Sequence, residues 1–563
     1  MSPADSISAP DEASALLQQA FDAHRRADLG EAERLYRAVA ALNAKDPRAL
    51  ANLGALALQQ GRAGEALAWL DQALAIRPDQ TGVLANRAGA LRALGRPLEA
   101  LETVRRALTL DPAFADGLNT LGLLLTELGR PSEAIAPLEE AVRLVPGQPV
   151  FRNTLGIALS AAMRPEEALS QYEDALALAP GYLEARSNRA AALRVLGRLE
   201  EALAACEALL ASDPGHLDAW VNRACILRDL GRHEEALVLL QQVCAAAPEH
   251  VEAHFSLAYE LLAAGRWDEG WPLFEWRWRR PEFQPIVGRA PGAPWLGQTP
   301  IAGKTLLLHY EQGLGDSLQM LRYLDEIAER GGKAILAVQP PLMALVRDLP
   351  SAALALTDGD PLPAYDLHCP LMSLPLAFGT RLETVPWRGP YLAAPPEAAA
   401  RWKARLDPLP RPRIGLAWSG NPRQANDRNR SMPLEALGPL LEADATFISL
   451  QKEYRPGDRE RLAGLGVVDV SAELDDLAET AGLIGQLDAV VTVCTSVAHL
   501  AGAMGKPGLL LLCFAADFRW LNTGEHSPWY PSLRLLRQGA PGDWSSPVRR
   551  AVEAIPGLVG QPG

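Results

Sequence analysis

A chain of 563 residues is too long for one hydrophobic core, and it predicts about two to four domains. The net charge of −14 argues against a nucleic-acid-binding protein, and no apolar run reaches the roughly 18 residues of a membrane-spanning helix. The amino terminus lacks the basic and apolar regions of a signal peptide, and the six cysteines lack zinc-ligand spacing, which together favour a reducing, cytoplasmic location.

The first half of the chain is built on a 34-residue period. A glycine–arginine pair, an alanine, a proline and a small residue each recur with this period. Small residues at helix crossings and proline at the repeat end are typical of tetratricopeptide repeats. We therefore predict a flexible tail at residues 1–11 and, at 12–285, an all-α solenoid with a concave surface for a partner. The pairs are Gly61-Arg62, Gly95-Arg96, Gly129-Arg130, Gly197-Arg198, Gly231-Arg232 and Gly265-Arg266, with Met163-Arg164 in the remaining position.

Beyond a proline- and glycine-rich linker at residues 286–302, short apolar runs alternate with helical stretches. Continuous apolar strands alternating with helices are typical of parallel sheets covered by helices on both faces. We predict two Rossmann-like α/β lobes, 303–408 and 409–563, with ligands bound at the carboxyl ends of their strands. The predicted strands are 304–309, 334–338, 365–369, 413–418, 446–450, 487–493 and 508–513.

The first candidate motif, His-Tyr-Glu-Gln-Gly-Leu-Gly-Asp, runs from His309 to Asp316 and leads into a helix predicted at 318–330. Its glycines allow a substrate to approach the backbone closely. Asp316 occupies the position of a helix N-cap, and this structural role explains it as well as a role as general base does. His309 and Glu311 are alternative bases in the same motif.

The second motif lies where the strand at 413–418 runs into the turn Ser419-Gly-Asn421, followed by Arg423, Arg428 and Arg430. Arginine side chains beside such a turn suit a phosphate or a carboxylate. The alternative interpretation is a solvated basic loop.

The third motif follows the strand at 487–493. Cys494 ends that strand, and Thr495 and Ser496 are placed to cap the next helix, whose amide end attracts phosphate. His499 lies one turn further, where it either points to the ligand or is a core histidine with satisfied hydrogen bonds. Cys494 has the position of a nucleophile, but a buried thiol at a strand end is the better interpretation.

Aromatic side chains surround a fourth motif, Asp517-Phe-Arg519-Trp. One acid and one arginine among aromatics fit a nucleobase or sugar pocket, and packing between the lobes is the alternative. A weaker signal, Asp358-Gly-Asp360, has the spacing of a metal-binding pair, but it lies in a turn-like segment and we expect no metal there.

These motifs resemble those of bacterial tetratricopeptide glycosyltransferases whose catalytic half is similar to the heptosyltransferase group. The resemblance rests on the repeats, on the motifs ending at Asp316 and Pro422, and on Thr-Ser-x-Ala-His-Leu-Ala-Gly-Ala-x-Gly-Lys-Pro at 495–507, and it covers about residues 12–540. The layout is also similar to that of the O-linked N-acetylglucosamine transferase and of flagellin glycosyltransferases. It implies a GT-B fold, an acceptor-side lobe at 303–408, a nucleotide-sugar donor lobe at 409–563, and no metal cofactor.

The resemblance also implies roles for single residues. Asp316 matches the proposed catalytic base, and Arg430 lies near the basic residue that contacts the donor phosphate. The family usually has aspartate where this chain has Cys494, so donor choice or activity is in doubt. The candidate catalytic set is Asp316, His309 and Glu311, and the candidate donor-binding set is Ser419, Asn421, Arg428, Arg430, Gln451, Cys494, Thr495, Ser496, His499 and Asp517.

One repeat register carries polar side chains in mid-helix, two positions before the small residue. In the N-acetylglucosamine transferase a similar asparagine ladder holds the target peptide backbone, so the resemblance implies acceptor binding here. Capping is a poorer explanation for asparagine in mid-helix, where its helix propensity is low. We call these candidate acceptor-peptide residues the polar ladder: Asn52, Asn86, Thr120, Thr154, Asn188 and Asn222.

The sequence thus predicts a cytoplasmic enzyme that transfers a sugar from a nucleotide-activated donor to a protein Ser or Thr hydroxyl. The repeats recruit the acceptor, and flagellin is one candidate. The alternative is a repeat scaffold whose glycosyltransferase half is degenerate and without turnover. Transfer to a lipid or polysaccharide is a third interpretation, which leaves the repeats without an obvious role. Oligomeric state stays open, because arrays of this kind often form homo-oligomers.

Overall fold

The computed structural model describes residues 9–283, 290–422, 424 and 426–559. The chain divides into two compact units, Met1–Leu209 and Leu210–Gly563, and the boundary falls inside a helix of the repeat region. The last helices of that region therefore belong to the same unit as the α/β half. Among the described residues, no helix has both the length and the apolar character needed to cross a bilayer.

The first unit is a stack of helix pairs. In the first five pairs the two helices pack against each other, and each second helix packs against the first helix of the next pair. Buried alanine and leucine side chains fill the space between them. The helices are α1 (Ala9–Arg25), α2 (Leu29–Leu42), α3 (Pro47–Gln59), α4 (Ala63–Ile76), α5 (Thr81–Ala93), α6 (Pro97–Leu110), α7 (Ala115–Glu127), α8 (Pro131–Leu144), α9 (Pro149–Ala161), α10 (Pro165–Leu178), α11 (Leu183–Val195) and α12 (Leu199–Ser212).

A residue in the left-handed conformation separates the two helices of a pair, which explains the glycine–arginine period. Gly95, for example, has φ +71°, a conformation that side-chain-bearing residues adopt only with strain. Met163 has φ 61° in the corresponding position and carries that strain. From Gly61 onward, the arginine that follows the left-handed residue pairs with a glutamate, as in Arg96–Glu99 at 2.7 Å, but exposed pairs of this kind stabilise a helix only slightly.

The small residues of the repeat lie where the two helices of a pair cross. A Cβ at Gly54 would lie 2.5 Å from Leu70 Cγ, and a Cβ at Gly122 would lie 2.3 Å from Leu138 Cγ. A larger side chain would force the helices apart and open the close packing between them. The predicted all-α repeat solenoid is confirmed, although α1 begins at Ala9, inside the segment predicted as a tail, and residues 1–8 lie outside the described part.

The second unit begins with the final repeat helices, which end in a cluster of aromatic rings. Trp267 stacks on Trp529 with ring centroids 4.9 Å apart, and Phe274 lies against Phe518 at 5.6 Å. Aromatic rings bury much apolar area, so these contacts fasten the last repeat to the α/β half. The helices here are α13 (Leu217–Asp229), α14 (His233–Ala246), α15 (Val251–Ala263) and α16 (Trp267–Phe274).

Two parallel sheets form the rest of the second unit. The strands of the first sheet are β1 (Thr305–His309), β2 (Lys333–Ala337), β3 (Ala352–Leu356) and β4 (Leu367–Pro370), in the order β3-β2-β1-β4. Those of the second are β5 (Arg413–Ala417), β6 (Thr446–Ser449), β7 (Ala489–Val493), β8 (Gly508–Leu512) and β9 (Leu533–Arg537), in the order β6-β5-β7-β8-β9. The predicted α/β class is therefore confirmed, with β3 and β9 in addition to the predicted strands.

Helices and short 3-10 turns connect the strands. The helices are α17 (Leu314–Met320), α18 (Tyr323–Glu329), α19 (Met343–Val346), α20 (Leu374–Ala377), α21 (Pro396–Leu406), α22 (Asp427–Arg430), α23 (Gly438–Leu441), α24 (Asp458–Ala463), α25 (Leu477–Gln486), α26 (Ser496–Ala503) and α27 (Ser545–Leu558). The 3-10 helices are Glu275–Arg279, Pro281–Phe283, Pro340–Leu342, Leu371–Ser373, Leu382–Thr384, Leu434–Leu437, Ser471–Glu473 and Phe518–Trp520.

Helix α21 lies within the segment predicted as the first lobe but packs against α25 of the second sheet. Trp402 donates its Nε1–H to Glu479 Oε2 at 2.9 Å. A Cβ on Gly482 would lie 2.6 Å from Trp402 Cδ1, so glycine makes room for the indole. The chain therefore packs against a helix of the second sheet before it enters β5.

Candidate functional site

Helices α17 and α26 contact each other at the carboxyl ends of the two sheets. Each begins shortly after its strand, β1 or β7. The contact is close, since a Cβ on Gly315 would lie 2.7 Å from His499 Cδ2. We call the polar side chains around this contact the junction site: Asp316, Arg430, Cys494, His499, Asp517 and Arg519.

Asp316 lies in the first turn of α17, and Gly313 occupies the N-cap position, so the prediction that Asp316 is the N-cap is wrong. Its carboxylate still accepts a hydrogen bond from the Gly313 N–H, at 2.8 Å. Burial raises the pKa of the Asp316 carboxyl above its usual value, and the positive charges of Arg519 and Arg430 oppose that rise. The Asp316 side chain keeps 18% of its surface exposed.

Arg519 joins two acidic side chains. Its Nη2 lies 2.6 Å from Asp316 Oδ1, and its Nη1 lies 2.8 Å from Asp517 Oδ1. Its Nε–H donates to Gln319 Oε1 at 3.1 Å, so a residue of α17 fixes the plane of the guanidinium. The Arg519 side chain is only 8% exposed, and salt therefore screens these ion pairs weakly.

Asp517 also accepts a hydrogen bond from the last repeat. The Tyr259 hydroxyl of α15 donates to Oδ2 at 2.7 Å, and the Arg519 backbone N–H donates to Oδ1 at 3.0 Å. Burial tends to raise the pKa of Asp517. The Arg519 guanidinium and these hydrogen-bond donors outweigh burial and lower that pKa below its usual value. Both carboxylate oxygens of Asp517, which was predicted to bind the sugar donor, therefore accept hydrogen bonds from protein groups.

His499 is buried and has a protein partner. Its Nδ1 lies 2.9 Å from the Tyr530 hydroxyl, and its ring lies against Trp520 with centroids 5.2 Å apart. Burial, followed by the positive charge of Arg519, lowers the pKa of His499 to about 3, so the ring is neutral at physiological pH. These contacts favour the core-histidine interpretation over a side chain aimed at a ligand.

Cys494 follows β7, and its Sγ accepts a hydrogen bond from Trp520 Nε1 at 3.1 Å. Burial, followed by the charge of Asp517, raises the pKa of the Cys494 thiol to about 11, so the thiol stays protonated and is a poor nucleophile. Thr495 caps α26 by accepting from the Val497 N–H at 3.3 Å, and Ser496 is the first residue of the helix. The positive amide end of α26 therefore lies directly beside Cys494.

Arg430 connects the basic turn to this helix end. Its Nη1 donates to the Cys494 carbonyl at 3.1 Å, and its Nε donates to Asp427 Oδ1 at 3.2 Å. A Cβ on Gly420 would lie 2.5 Å from Arg430 Nη2, so the turn packs directly on the guanidinium. With 17% of its side chain exposed, Arg430 is held by the protein rather than solvated.

The other predicted donor residues lie on the same turn or at the end of β6. Ser419 donates its N–H to Gln451 Oε1 at 3.3 Å, and Gln451 Nε2 donates to the Ser419 carbonyl at 2.9 Å. Asn421 and Arg428 have exposed side chains, and Arg423 lies outside the described residues. The turn is thus braced at its strand end and open to solvent further along.

His309 and Glu311 have partners outside the junction site. His309 Nε2 is 3.3 Å from His368 Nδ1, and the ring lines a separate cavity of about 240 Å³. Glu311 pairs with Arg277 at 3.0 Å and accepts from the Met372 N–H at 3.1 Å. Burial, only partly offset by Arg277, raises the pKa of Glu311 to about 7. Since Arg277 ends the repeat region, Glu311 joins the last repeat to the first sheet.

Three members of the polar ladder share one groove in the first unit. Asn52, Asn86 and Thr120 line an open groove of about 800 Å³ along α3, α5 and α7. Asn52 Nδ2 donates to the Arg48 carbonyl at 2.7 Å, and the Thr120 hydroxyl donates to the Asp116 carbonyl at 2.8 Å. These two side chains bond their own helices, and Asn86 belongs to the repeat between them.

The later members of the polar ladder have other surroundings. Thr154 is buried and donates to the Val150 carbonyl at 2.9 Å. Asn188 donates to Asn153 Oδ1 at 2.9 Å. Asn222 lies on α13, in the second unit. The groove of the first three members is therefore the part of the ladder best placed to meet a peptide.

Sequence reasoning placed Arg519 only in a general nucleobase or sugar pocket, and it assigned no role to Tyr259. Arg519 stood in the fourth motif, but nothing local indicated its pairing with Asp316. Tyr259 had a signal, because it is a polar aromatic residue in a register that is otherwise small or apolar. The other repeats carry Ala55, Gly89, Leu123, Ile157, Ala191 and Cys225 in that register.

Comparisons with known proteins agree with the repeat architecture. Family profiles described as tetratricopeptide repeat match residues 23–88, 86–149, 153–216 and 221–274. The chain therefore carries tetratricopeptide repeats, an architecture that serves as a protein-interaction scaffold.

Among curated proteins, the chain is similar to Protein FlbA of Caulobacter vibrioides, with 29% identity over 327 residues. The match covers 51% of this chain and 52% of FlbA, so it spans about half the length of that relative. Among solved structures, a tetratricopeptide repeat protein from Parabacteroides merdae is 20% identical, with a TM-score of 0.37, and covers 44% of this chain and 98% of its own. A thermophilic tetratricopeptide repeat protein of Thermus thermophilus is 27% identical, with a TM-score of 0.30, and covers 32% and 98%.

Proposed function

We propose that the protein is a GT-B-type glycosyltransferase that transfers a sugar from a nucleotide-activated donor to a Ser or Thr hydroxyl of a protein. The observation that carries this proposal is the junction of α17 and α26. It brings the partly exposed side chain of Asp316 within electrostatic range of Arg430, which bonds the carbonyl of Cys494, two residues before α26. Ligands of parallel α/β sheets bind at such carboxyl ends, beside helix amino termini.

In the proposed reaction, Asp316 is the general base. The acceptor hydroxyl gives its proton to the Asp316 carboxylate while its oxygen bonds to the anomeric carbon of the sugar. The bond from that carbon to the donor phosphate breaks, and its electron pair stays on the phosphate. Burial raises the pKa of Asp316, which makes it a stronger base than an exposed aspartate, while Arg519 favours its ionised form at neutral pH.

Arg430 and the amide end of α26 stabilise the charge that develops on the leaving phosphate. The Cys494 carbonyl and Asp427 hold the guanidinium in place before the donor arrives. Preorganised positive groups of this kind are effective because they need no reorganisation during the reaction. Loss of one such donor costs about 10²- to 10³-fold in rate in comparable sites.

The repeats recruit the protein acceptor, and flagellin is the acceptor that the resemblance of the motifs suggests. An extended peptide along the groove can pair its backbone with the amide of Asn86 and the neighbouring ladder side chains. We expect Asn52→Ala combined with Asn86→Ala to weaken acceptor capture without lowering the melting temperature. The exposed Gln60→Ala is the matched control. Unchanged capture by the double variant would count against the groove.

A thermal-shift screen against UDP, GDP, ADP, CMP and their sugars tests the donor site, because a ligand of the folded state raises the melting temperature. We expect a selective shift that Arg430→Ala abolishes. The exposed Arg405→Ala, in α21, is the control and keeps the shift. Asp316→Asn should bind the donor but lose transfer. No shift with any nucleotide, in a folded sample, would refute the donor site.

One observation favours a second candidate, a repeat scaffold with a degenerate and non-catalytic transferase half. The thiol of Cys494 stands where the related enzymes carry aspartate, and it is protonated because burial raises its pKa to about 11. It therefore cannot supply the negative charge of that aspartate. Turnover that appears only in Cys494→Asp would support the scaffold, and full turnover in the wild type would exclude it.

A further inference from the structure

We propose that the last repeat contributes a positioning residue to the reactive centre: Tyr259 orients Asp316 through Asp517 and Arg519. The inference rests on the proposed function for the role of Asp316, whereas the contacts that carry it do not depend on that role. It gives the repeats a second task beside recruitment, because the base is then complete only when the last repeat is docked.

The contacts form an unbroken chain. The Tyr259 hydroxyl donates to Asp517 Oδ2 at 2.7 Å, and Asp517 Oδ1 lies 2.8 Å from Arg519 Nη1. Arg519 Nη2 lies 2.6 Å from Asp316 Oδ1. The links join α15 of the repeats, the segment after β8 and α17 of the first sheet. Three separate parts of the second unit therefore meet in one hydrogen-bonded network.

Packing holds the Tyr259 ring in place. Phe518 lies edge-on to it with centroids 4.9 Å apart, and the Arg228 guanidinium lies 5.4 Å from its centre. The Arg519 guanidinium lies 4.4 Å from the centre of the Phe518 ring, so one aromatic side chain contacts both Tyr259 and Arg519. Moving the hydroxyl away from Asp517 would break these contacts, and the hydrogen bond is therefore well defined.

The hydroxyl matters because Asp316 and Asp517 share one guanidinium. The hydrogen bond from Tyr259 stabilises the negative charge on Asp517. Asp517 therefore competes less strongly with Asp316 for the Arg519 guanidinium. Without that donor, Asp517 attracts Arg519 more strongly, and its charge acts more fully on Asp316. Both effects favour the protonated form of Asp316, so loss of the hydroxyl raises the pKa of the base. Loss of the Asp517 charge lowers it.

Other groups that face Asp316 keep their charge in the useful pH range. The positive charge of Arg430 acts on Asp316, and His499 of α26 stays neutral because burial lowers its pKa to about 3. The Gly313 N–H is a fixed donor. The acid limb of the pH profile therefore reports the coupled titration of Asp316 and Asp517 around Arg519.

The test compares the pH dependence of kcat/KM for the wild type, Tyr259→Phe and Asp517→Asn. We expect the acid limb to move up by about half a unit to one unit in Tyr259→Phe, which is roughly a 3- to 10-fold loss below the limb. It should move down in Asp517→Asn. The donor KM should change little in Tyr259→Phe. Tyr172→Phe removes a buried hydroxyl that bonds Ser160 in another repeat, and it serves as a control with an unmoved limb.

A second measurement needs no activity. Tyr259→Phe and Asp316→Asn, singly and together, form a double-mutant cycle in thermal unfolding. Distant residues with no shared partner have additive effects, so a non-additive melting temperature supports the relay. The cycle tests the coupling between Tyr259 and Asp316 even if no donor or acceptor gives transfer. In that case the proposed function fails, and the result for the coupling still stands.

Two results overturn the relay. One is an active protein whose acid limb is the same in Tyr259→Phe as in the wild type, which leaves the proposed function intact. The other is strict additivity in the cycle. If Tyr259→Phe does not fold, Asp517→Asn decides the point, because an unmoved or raised limb in that variant contradicts the charge argument.

Discussion

Replacing Gly315 by alanine tests how strongly the junction of α17 and α26 depends on an absent side chain. The new Cβ would lie 2.7 Å from His499 Cδ2, whereas ordinary contacts lie at 3.4–4 Å, so the helices must separate by about 1 Å. Overpacking of this kind costs about 1–3 kcal/mol. The helix propensity of alanine returns at most about 1 kcal/mol. We therefore expect a net loss of up to about 3 kcal/mol, and no net gain.

Transfer should suffer more than stability. Asp316 is the next residue in α17, and a displacement of about 1 Å in a catalytic group can cost about 100-fold in rate. Thermal unfolding and the transfer rate measure the two effects. The matched control is Gly64→Ala in α4, where nothing lies within 4 Å of the added Cβ, and it should raise the stability by about 0.5–1 kcal/mol. If Gly315→Ala behaves like this control and keeps its rate, the reasoning is refuted.

Further predictions concern stability and thiol reactivity. Burial raises the pKa of Glu311 from 4.5 to about 7, and the folded protein therefore keeps a proton that the unfolded chain loses. The wild type should therefore lose stability as the pH rises from about 4.5 to about 7. Glu311→Gln lacks this titration, so its melting temperature relative to the wild type should rise over the same range; a difference that does not change with pH would contradict this. Met163→Gly should stabilise by about 1 kcal/mol by removing the strain at φ 61°, while Gly197→Ala, at φ 75°, should destabilise; unfolding midpoints that move the other way would show that the turn carries no strain. Cys494, a half-buried thiol whose pKa is raised to about 11, should react with iodoacetamide far more slowly in the native protein than in the unfolded protein; equal rates of modification by mass spectrometry would contradict this.

The candidate site could be located from sequence only in part. The rule that functional residues follow the carboxyl ends of parallel strands singles out Asp316 after β1 and Thr495 after β7, and the helix cap at Thr495 is confirmed. The same rule also selects Glu311, which follows β1 more closely than Asp316 does. Glu311 instead meets Arg277 in a buried pair, because the end of the repeats packs against the first sheet. Strand order and loop position do not contain that information.

By itself the sequence determined the repeats and most of the strands, because these depend on residues close together in the chain. The 34-residue period sets the helix crossings and the left-handed turns, and continuous apolar runs mark buried strands. Strand β3 is the apolar run Ala-Ala-Leu-Ala-Leu, whose alanines are weak strand formers, and Arg534 interrupts β9, so neither strand was recognised from the sequence. Only the tertiary structure decided that Tyr259 meets Asp517, 258 residues away, and that Arg519 meets Gln319, 200 residues away. Such pairings arise from the packing of whole elements against one another, which no local period encodes.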